Sequence, residues 1–267
     1  MQPSEYAKLA AFENGYWWHV GRRSIVARQI ENLNRERGYL HILNVGSGTG
    51  GTVQILAKHG KVLNIDQSAE AVRLMQENGF EAYQMDGKRT PLGDGQFHLV
   101  AALDVLEHIQ EDAVALQEWR RVLKPGGHVV LTVPAYQWLW SGHDVSLGHC
   151  RRYTARQLRQ IVRDAGFEVS KCSYAITFSF FLIVAFRFYQ KLFRPDAQTS
   201  SYVKLPAILN SFFIALLRIE AFLLANFRFP FGTSILVIGR KPVAAKIQEP
   251  VQTPTIKADS VAASASQ

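Results

Sequence analysis

Residues 39–66, YLHILNVGSGTGGTVQILAKHGKVLNID, decide the fold. The apolar run YLHILNV breaks at a glycine-rich turn, GSGTGG (46–51). TVQILAKHG then carries helical spacing and stops at a glycine, and KVLNID is a second short apolar run. Strand, tight turn, helix and strand in this order form one unit of a parallel sheet. A glycine turn after a first strand lets the backbone approach a ligand closely and aims a helix N-terminus at its polar end. Gly46, Gly48 and Gly51 satisfy GxGxxG, which alone is weak. Asp66 sharpens it: it closes the second strand 20 residues after Gly46, where a carboxylate can take both hydroxyls of a ribose.

The same alternation continues outward. SAEAVRLMQENG (68–79) reads as a helix with Ser68 as N-cap and Gly79 just past its end. FEAYQMD (80–86) is a third strand whose final residue, Asp86, adds a second acid to the same sheet edge. FHLVAALDV (97–105) is a fourth strand, DAVALQEWRRVLKPGG (112–127) a helix closed by Pro-Gly-Gly, and HVVLTVP (128–134) a fifth strand. Thr154 can cap a helix over 155–166, FEVSKCSYA (167–175) is strand six, and TSILVIGRK (233–241) is one strand more. The class is α/β: a doubly wound, mostly parallel, seven-stranded Rossmann-like sheet with an apolar helical insertion before the last strand. The bland alternative is a sheet whose strand-end acids only solvate loops.

On these residues the chain resembles the class I S-adenosylmethionine-dependent methyltransferases. ILNVGSGTG (42–50), NID (64–66), QMD (84–86), FHLVAALDVLEHI (97–109) and LKPGGHVVLTVP (123–134) carry the likeness together. YWWHVGRR (16–23) and GHDVSLGHCRRYT (142–154) look, more loosely, like a bacterial type 11/12-like subset, many of whose members act on lipids, quinones or surface glycans. The resemblance implies S-adenosyl-L-methionine as cofactor. Gly46, Gly48 and Gly50 would shape the loop beside its methionine part, Asp66 would bind the ribose, and Asp86 with Gly87 would sit by the adenine. Gln67 and Asp104 complete the implied set. Asn44 stands where the family usually has Asp or Glu to help hold the cofactor's ammonium. An amide oxygen can still accept that hydrogen bond at reduced electrostatic gain. A dehydrogenase is the other enzyme reading of the turn, but no Tyr-x-x-x-Lys pair follows strand five.

Methyl transfer from a sulfonium asks the protein mainly to align two centres and exclude water, with a base needed for a hydroxyl acceptor. Two loops offer one. Asp104, Glu107 and His108 converge if their segment turns helically. The spacing resembles the metal-binding acid-x-x-Glu-His of quinone O-methyltransferases, yet loop ordering without a metal is the commoner use, and no metal is assigned. After strand five come His143, Asp144, His149, Arg151, Arg152 and Tyr153. His143 with Asp144 is the preferred catalytic pair, a carboxylate tuning an imidazole, with His108 beside them; a solvated basic turn is the alternative. Tyr16-Trp17-Trp18-His19 would form a water-excluding lid, or pack on the sheet.

Residues 1–170 carry 19 Lys and Arg against 18 Asp and Glu, and residues 171–267 carry 11 against 4, with 12 of the 16 phenylalanines. Basic, aromatic and aliphatic residues interleaved suit an anionic lipid surface better than a nucleic-acid groove, and no nucleic-acid partner is expected. The uncharged runs 172–186 and 205–217 fall short of the ~18 residues of a spanning helix. Two helices near 176–193 and 207–226, with Arg187, Lys191, Arg194, Lys204, Arg218 and Arg228 at or near their ends, would form an in-plane hairpin on the inner face of the membrane. A homodimer interface would use the same composition. Two cysteines exclude a disulfide scaffold, and the start of the chain shows no signal-peptide pattern, so a cytoplasmic site is expected.

The expected organisation is a helical lid (1–38), a cofactor-binding core (39–175), the apolar hairpin (176–232), the last core strand (233–242) and a disordered tail (243–267). The expected activity is methylation, at oxygen, of a lipophilic or lipid-linked acceptor at the membrane surface. A soluble sugar or metabolite as acceptor, or a non-catalytic membrane scaffold, is the alternative.

Overall fold

The computed structural model describes residues 10–35, 38–193 and 205–243. The first part of the expected lid, the positions of Arg194 and Lys204, and all of the expected tail but Val243 lie outside them. Strands β1 (Leu40–Val45), β2 (Gly60–Asp66), β3 (Ala82–Gln84), β4 (Phe97–Leu103), β5 (Leu123–Pro134), β6 (Glu168–Ala175) and β7 (Ser234–Arg240) form one sheet in the order β3-β2-β1-β4-β5-β7-β6. β7 enters antiparallel between β5 and β6, and the other neighbouring strands pair parallel. The central strands are buried on both faces, as their unbroken apolar runs require.

Helices cover both faces. Leu43, Val45, Val100 and Val237 face Leu116 and Trp119 of α4 (Asp112–Val122) and Leu158 and Val162 of α6 (Ala155–Asp164). On the other face Ile42, Leu99, Leu236 and Ile238 meet Ile25, Val26 and Ile30 of α1 (Trp17–Asn34), with Leu217 and Leu224 of α8 (Ala207–Asn226). The shorter helices α2 (Val53–Ala57), α3 (Ala69–Glu77) and α5 (Gly142–Leu147) follow the loops. Ser68 caps α3 by accepting from the Ala71 N–H, and Thr154 caps α6 by accepting from the Gln157 N–H, as their sequences indicate.

One boundary differs. The helix expected through Pro-Gly-Gly ends at Val122, because Leu123 already pairs with Phe97; β5 then shifts register before His128 joins Leu99. Pro125 and the glycines therefore make an irregularity within the strand rather than a helix stop.

The insertion holds two helices, α7 (Phe180–Phe193) and α8. α8 runs on through Arg218 and Glu220 and is long and apolar enough, at mean hydropathy 1.9, to meet the length and composition of a spanning helix. Its main partner is α1. Phe213, Leu217, Ala221 and Leu224 form the buried face, while Ile208, Phe212, Ile219 and Phe222 are exposed. Tyr16 precedes α1 without a side-chain cap. Asn210 of α8 supplies one: its Oδ1 accepts from the Trp17 N–H at 3.0 Å, and its Nδ2 donates to the Gly15 carbonyl at 2.9 Å. The buried Glu220 accepts from the Thr177 and Phe178 N–H groups at 2.9 and 3.1 Å, tying α8 to the chain that enters α7.

Candidate active site

A cavity of about 980 Å³ opens at the carboxyl ends of β1, β2 and β4, under α1 and between the insertion helices. Asn44, Gly46, Gly48, Asp66, Gln67, Asp86, Gly87, Asp104, His108 and His143 all line it. This is the crevice where doubly wound sheets bind ligands. Asp66 is held ready: Oδ2 accepts from the Gly48 N–H and Oδ1 from the Ser68 N–H, both at 2.9 Å. Both oxygens keep lone pairs for a diol. At Gly46, φ is +64° and a Cβ would stand 2.4 Å from the Val105 side chain; at Gly87 it would stand 2.8 Å from Val45. Close approach explains both glycines.

Gly50 does not line the cavity. It sits behind the turn against Phe80 and Met75, and Gly51 faces the cavity in its place. Asn44 is buried and donates to Asn64 Oδ1 at 2.9 Å across the β1–β2 register. A carboxylate absent from that position arrives from elsewhere: Glu13 Oε2 accepts from the Thr49 hydroxyl at 2.6 Å, above the glycine turn. Asp104 takes φ of +57° at the end of β4, accepts from the Thr132 hydroxyl at 2.8 Å, and forms an ion pair with Arg22 of α1. A non-glycine residue held there stores strain that the two contacts offset. Neither Glu13 nor Arg22 was legible as a site residue, since their partners lie a fold away.

Of the expected His143–Asp144 pair, His143 alone lines the cavity. Asp144 is fully buried in α5 and does not line the cavity. Its Oδ1 meets His149 Nδ1 at 2.9 Å, and both oxygens accept from Arg152, at 2.7 and 2.9 Å. The helical turn of α5 sends consecutive side chains in different directions, so Asp144 points inward while His143 faces the cavity. Burial works against the Asp144 carboxylate, but the His149 hydrogen bond and the Arg152 charge hold it far below the usual range. His143 is pushed down to about 3 by burial and then by Arg187. Burial and His149 lower His108 to about 4, and burial and Arg22 lower His19 to about 3. All three present neutral imidazoles at physiological pH. Arg187 is not at a lipid headgroup level: it lines the cavity and donates to the Ser141 hydroxyl at 2.9 Å. Glu107 is buried, and burial raises its carboxyl to about 8.

The fold and this crevice define a Rossmann-like domain built for a nucleoside-bearing cofactor. Residues 43–131 match the family described as a methyltransferase domain. The chain is 26% identical over 162 residues to the "Probable S-adenosylmethionine-dependent methyltransferase" of Mycolicibacterium smegmatis, covering 59% of this chain and 61% of that one. To the ubiquinone biosynthesis O-methyltransferase of Xylella fastidiosa it is 28% identical over 147 residues, covering 48% and 58%. The chain therefore spans less than two thirds of either relative. Among solved structures, the [4+2]-cyclase SpnF has the same fold, with a TM-score of 0.55 and 22% identity over 82% of this chain and 81% of that one. Residues 43–131 thus form a methyltransferase domain of the class I type, which uses S-adenosylmethionine as its cofactor.

Proposed function

We propose that this protein methylates an oxygen of a lipophilic or lipid-linked acceptor at the inner, cytoplasmic surface of a membrane. The continuity of the cavity carries the reading. Its polar end holds Asp66 and Asp86, and its other end is walled by Leu182, Ile183 and Phe186 of α7 with Leu209 and Phe213 of α8. One chamber thus joins a cofactor crevice to an apolar channel. Phe181, Phe188 and Leu192 of α7 are exposed outside it, Phe181 at 71%, and with the exposed face of α8 they offer an apolar surface for lipid. The Xylella relative, named for a quinone pathway, fits an acceptor of this kind.

Asp66 would hold the ribose, Asp86 and Gly87 the adenine side, and the glycine turn with Gln67 and Asp104 the rest of the cofactor. The cofactor, when bound, supplies an activated methyl group on a sulfonium. The α1 lid, pinned by Arg22 to Asp104 and by Asn210 to α8, excludes water. His143, uncharged, accepts a hydrogen bond from the acceptor hydroxyl and orients it, with His108 beside it on the cavity wall.

The test is transfer of labelled methyl from S-adenosylmethionine into a bacterial membrane lipid extract. Organic-phase label that depends on Asp66 supports the reading. Label that stays out of the organic phase, with S-adenosylhomocysteine binding intact, sinks it.

A further inference from the structure

We infer that Glu107, His108 and His149 form a binding site for a divalent transition-metal ion of the zinc class at the wall of the cavity. One ligand atom from each lies within 4.8 Å of the others. Three atoms so spaced leave a point within about 2.8 Å of all of them, against ~2.0–2.2 Å for zinc bonds to nitrogen and carboxylate oxygen. Closure by well under ~1 Å per side chain completes the set.

Three further observations point to a cation. The Glu107 side chain is fully buried, and neither of its oxygens has a hydrogen-bond partner among the described residues. The nearby acids are otherwise engaged: Asp104 with Arg22, Asp144 with Arg152. Glu107 is thus the carboxylate that these two arginines leave over. Both imidazoles are also oriented as metal ligands are. His149 Nδ1 is bound to the Asp144 carboxylate at 2.9 Å, and His108 Nδ1 to the Gly148 carbonyl at 3.3 Å. Each contact fixes the tautomer that leaves Nε2 as the free donor, and His149 Nε2 stands 4.0 Å from Glu107 Oε1.

The ligand set differs from acid-x-x-Glu-His. Asp104 is turned to Thr132 and Arg22, and its place is taken by an imidazole from the loop after α5. Two imidazoles and one carboxylate suit zinc and leave a position open. All three residues line the cavity, so the open position faces it. The ligand it would take besides water is an acceptor presenting a hydroxyl or phenol oxygen. A buried Asp144 serving only as a positioning residue for His149 accounts for a carboxylate–imidazole pair that the cavity itself does not use.

The untagged full chain, stripped with a chelator, is titrated with Zn²⁺ against a chromophoric chelator, and with Co²⁺ while its visible absorption is recorded. The expected result is one ion per chain and a tetrahedral-type Co²⁺ spectrum. Glu107→Gln and His149→Ala should each weaken Zn²⁺ binding by at least tenfold, while His143→Ala, in the same cavity, leaves it unchanged. Binding of S-adenosylhomocysteine by each variant shows that it is folded, and keeps this test separate from methyl transfer. Absence of stoichiometric binding at micromolar ion overturns the site. So does an ion held equally well by folded Glu107→Gln and His149→Ala.

Discussion

Gly21 lies where α1 crosses α8, and its replacement by alanine tests how the lid is held. A Cβ there would stand 2.1 Å from Leu217 Cδ1, 2.7 Å from Leu217 Cβ and 2.9 Å from Cγ. A new Leu217 rotamer can remove the contacts at Cγ and Cδ1's far end, but Cβ is fixed by the α8 backbone. Restoring a contact of ~3.5–4.0 Å needs the two helices to part by about 1 Å. Leu217 is fully buried, so the strain has nowhere to drain, and overpacking of this kind costs ~1–3 kcal/mol. Alanine returns ~0.5–1 kcal/mol through helix propensity. The net expectation is a loss of about 1 kcal/mol, a fall of roughly 2–4 °C in Tm for a chain of this size. Chemical denaturation of wild type, Gly21→Ala, Leu217→Ala and the double variant measures it. Leu217→Ala alone should cost ~2–5 kcal/mol, and the double variant should be more stable than the sum of the singles by about 1 kcal/mol. Because Arg22 adjoins Gly21, the parted helices should also weaken S-adenosylhomocysteine binding. A Gly21→Ala protein as stable as wild type, or a strictly additive cycle, would refute the close crossing.

Asp66→Ala should reduce S-adenosylhomocysteine affinity by roughly 100-fold in calorimetric titration, from loss of charge-assisted bonds worth ~1.5–3 kcal/mol each; unchanged affinity would remove the ribose role. Glu220→Ala leaves the Thr177 and Phe178 N–H groups buried without their acceptor, and should cost ~1–3 kcal/mol in denaturant unfolding. His19 and His143 are both lowered to about 3, so the unfolded chain, with histidines near ~6.5, binds protons first as pH falls. Their contribution is complete above pH ~6.5 and drains away toward 3, at up to ~1.4 kcal/mol per pH unit per imidazole. Stability should therefore fall between pH 6.5 and 5, and His19→Gln with His143→Gln should flatten that slope; a flat wild-type profile would show that these imidazoles are charged or exposed.

The sheet was readable because each of its signals is local. A glycine turn follows an apolar run, an acid ends a strand, and Ser68 or Thr154 opens a helix. The helices of the insertion were readable for the same reason, and 180–193 and 207–226 fall close to where the uncharged runs place them. What escaped depends on direction and on distance along the chain. Consecutive residues of α5 diverge, so His143 and Asp144, adjacent in sequence, serve different surroundings. His149 reaches Asp144 because the chain turns at Gly148, whose φ is +73°. Arg187 sits beyond an apolar run and invites a lipid-facing reading, yet α7 turns it toward Ser141. Arg22, Glu13 and Asn210 act on partners that only the folded sheet brings near. No window of sequence contains both halves of those contacts.

The place of β7 has a consequence for the order in which the molecule can be made. β5 and β6 do not pair with each other; each pairs with β7, which the ribosome delivers after both. α1 likewise emerges early but finds its cover in α8, some 190 residues later. At ~5–20 residues per second, that separation amounts to roughly 10–40 s of synthesis. Through that interval the nascent chain displays the Ile25–Val26–Ile30 stripe and an unfilled gap beside β5. Completion of the half-sheet waits on the strand from Ser234 to Arg240, so a chain cut short before Ser234 leaves β5 and β6 each without its neighbour.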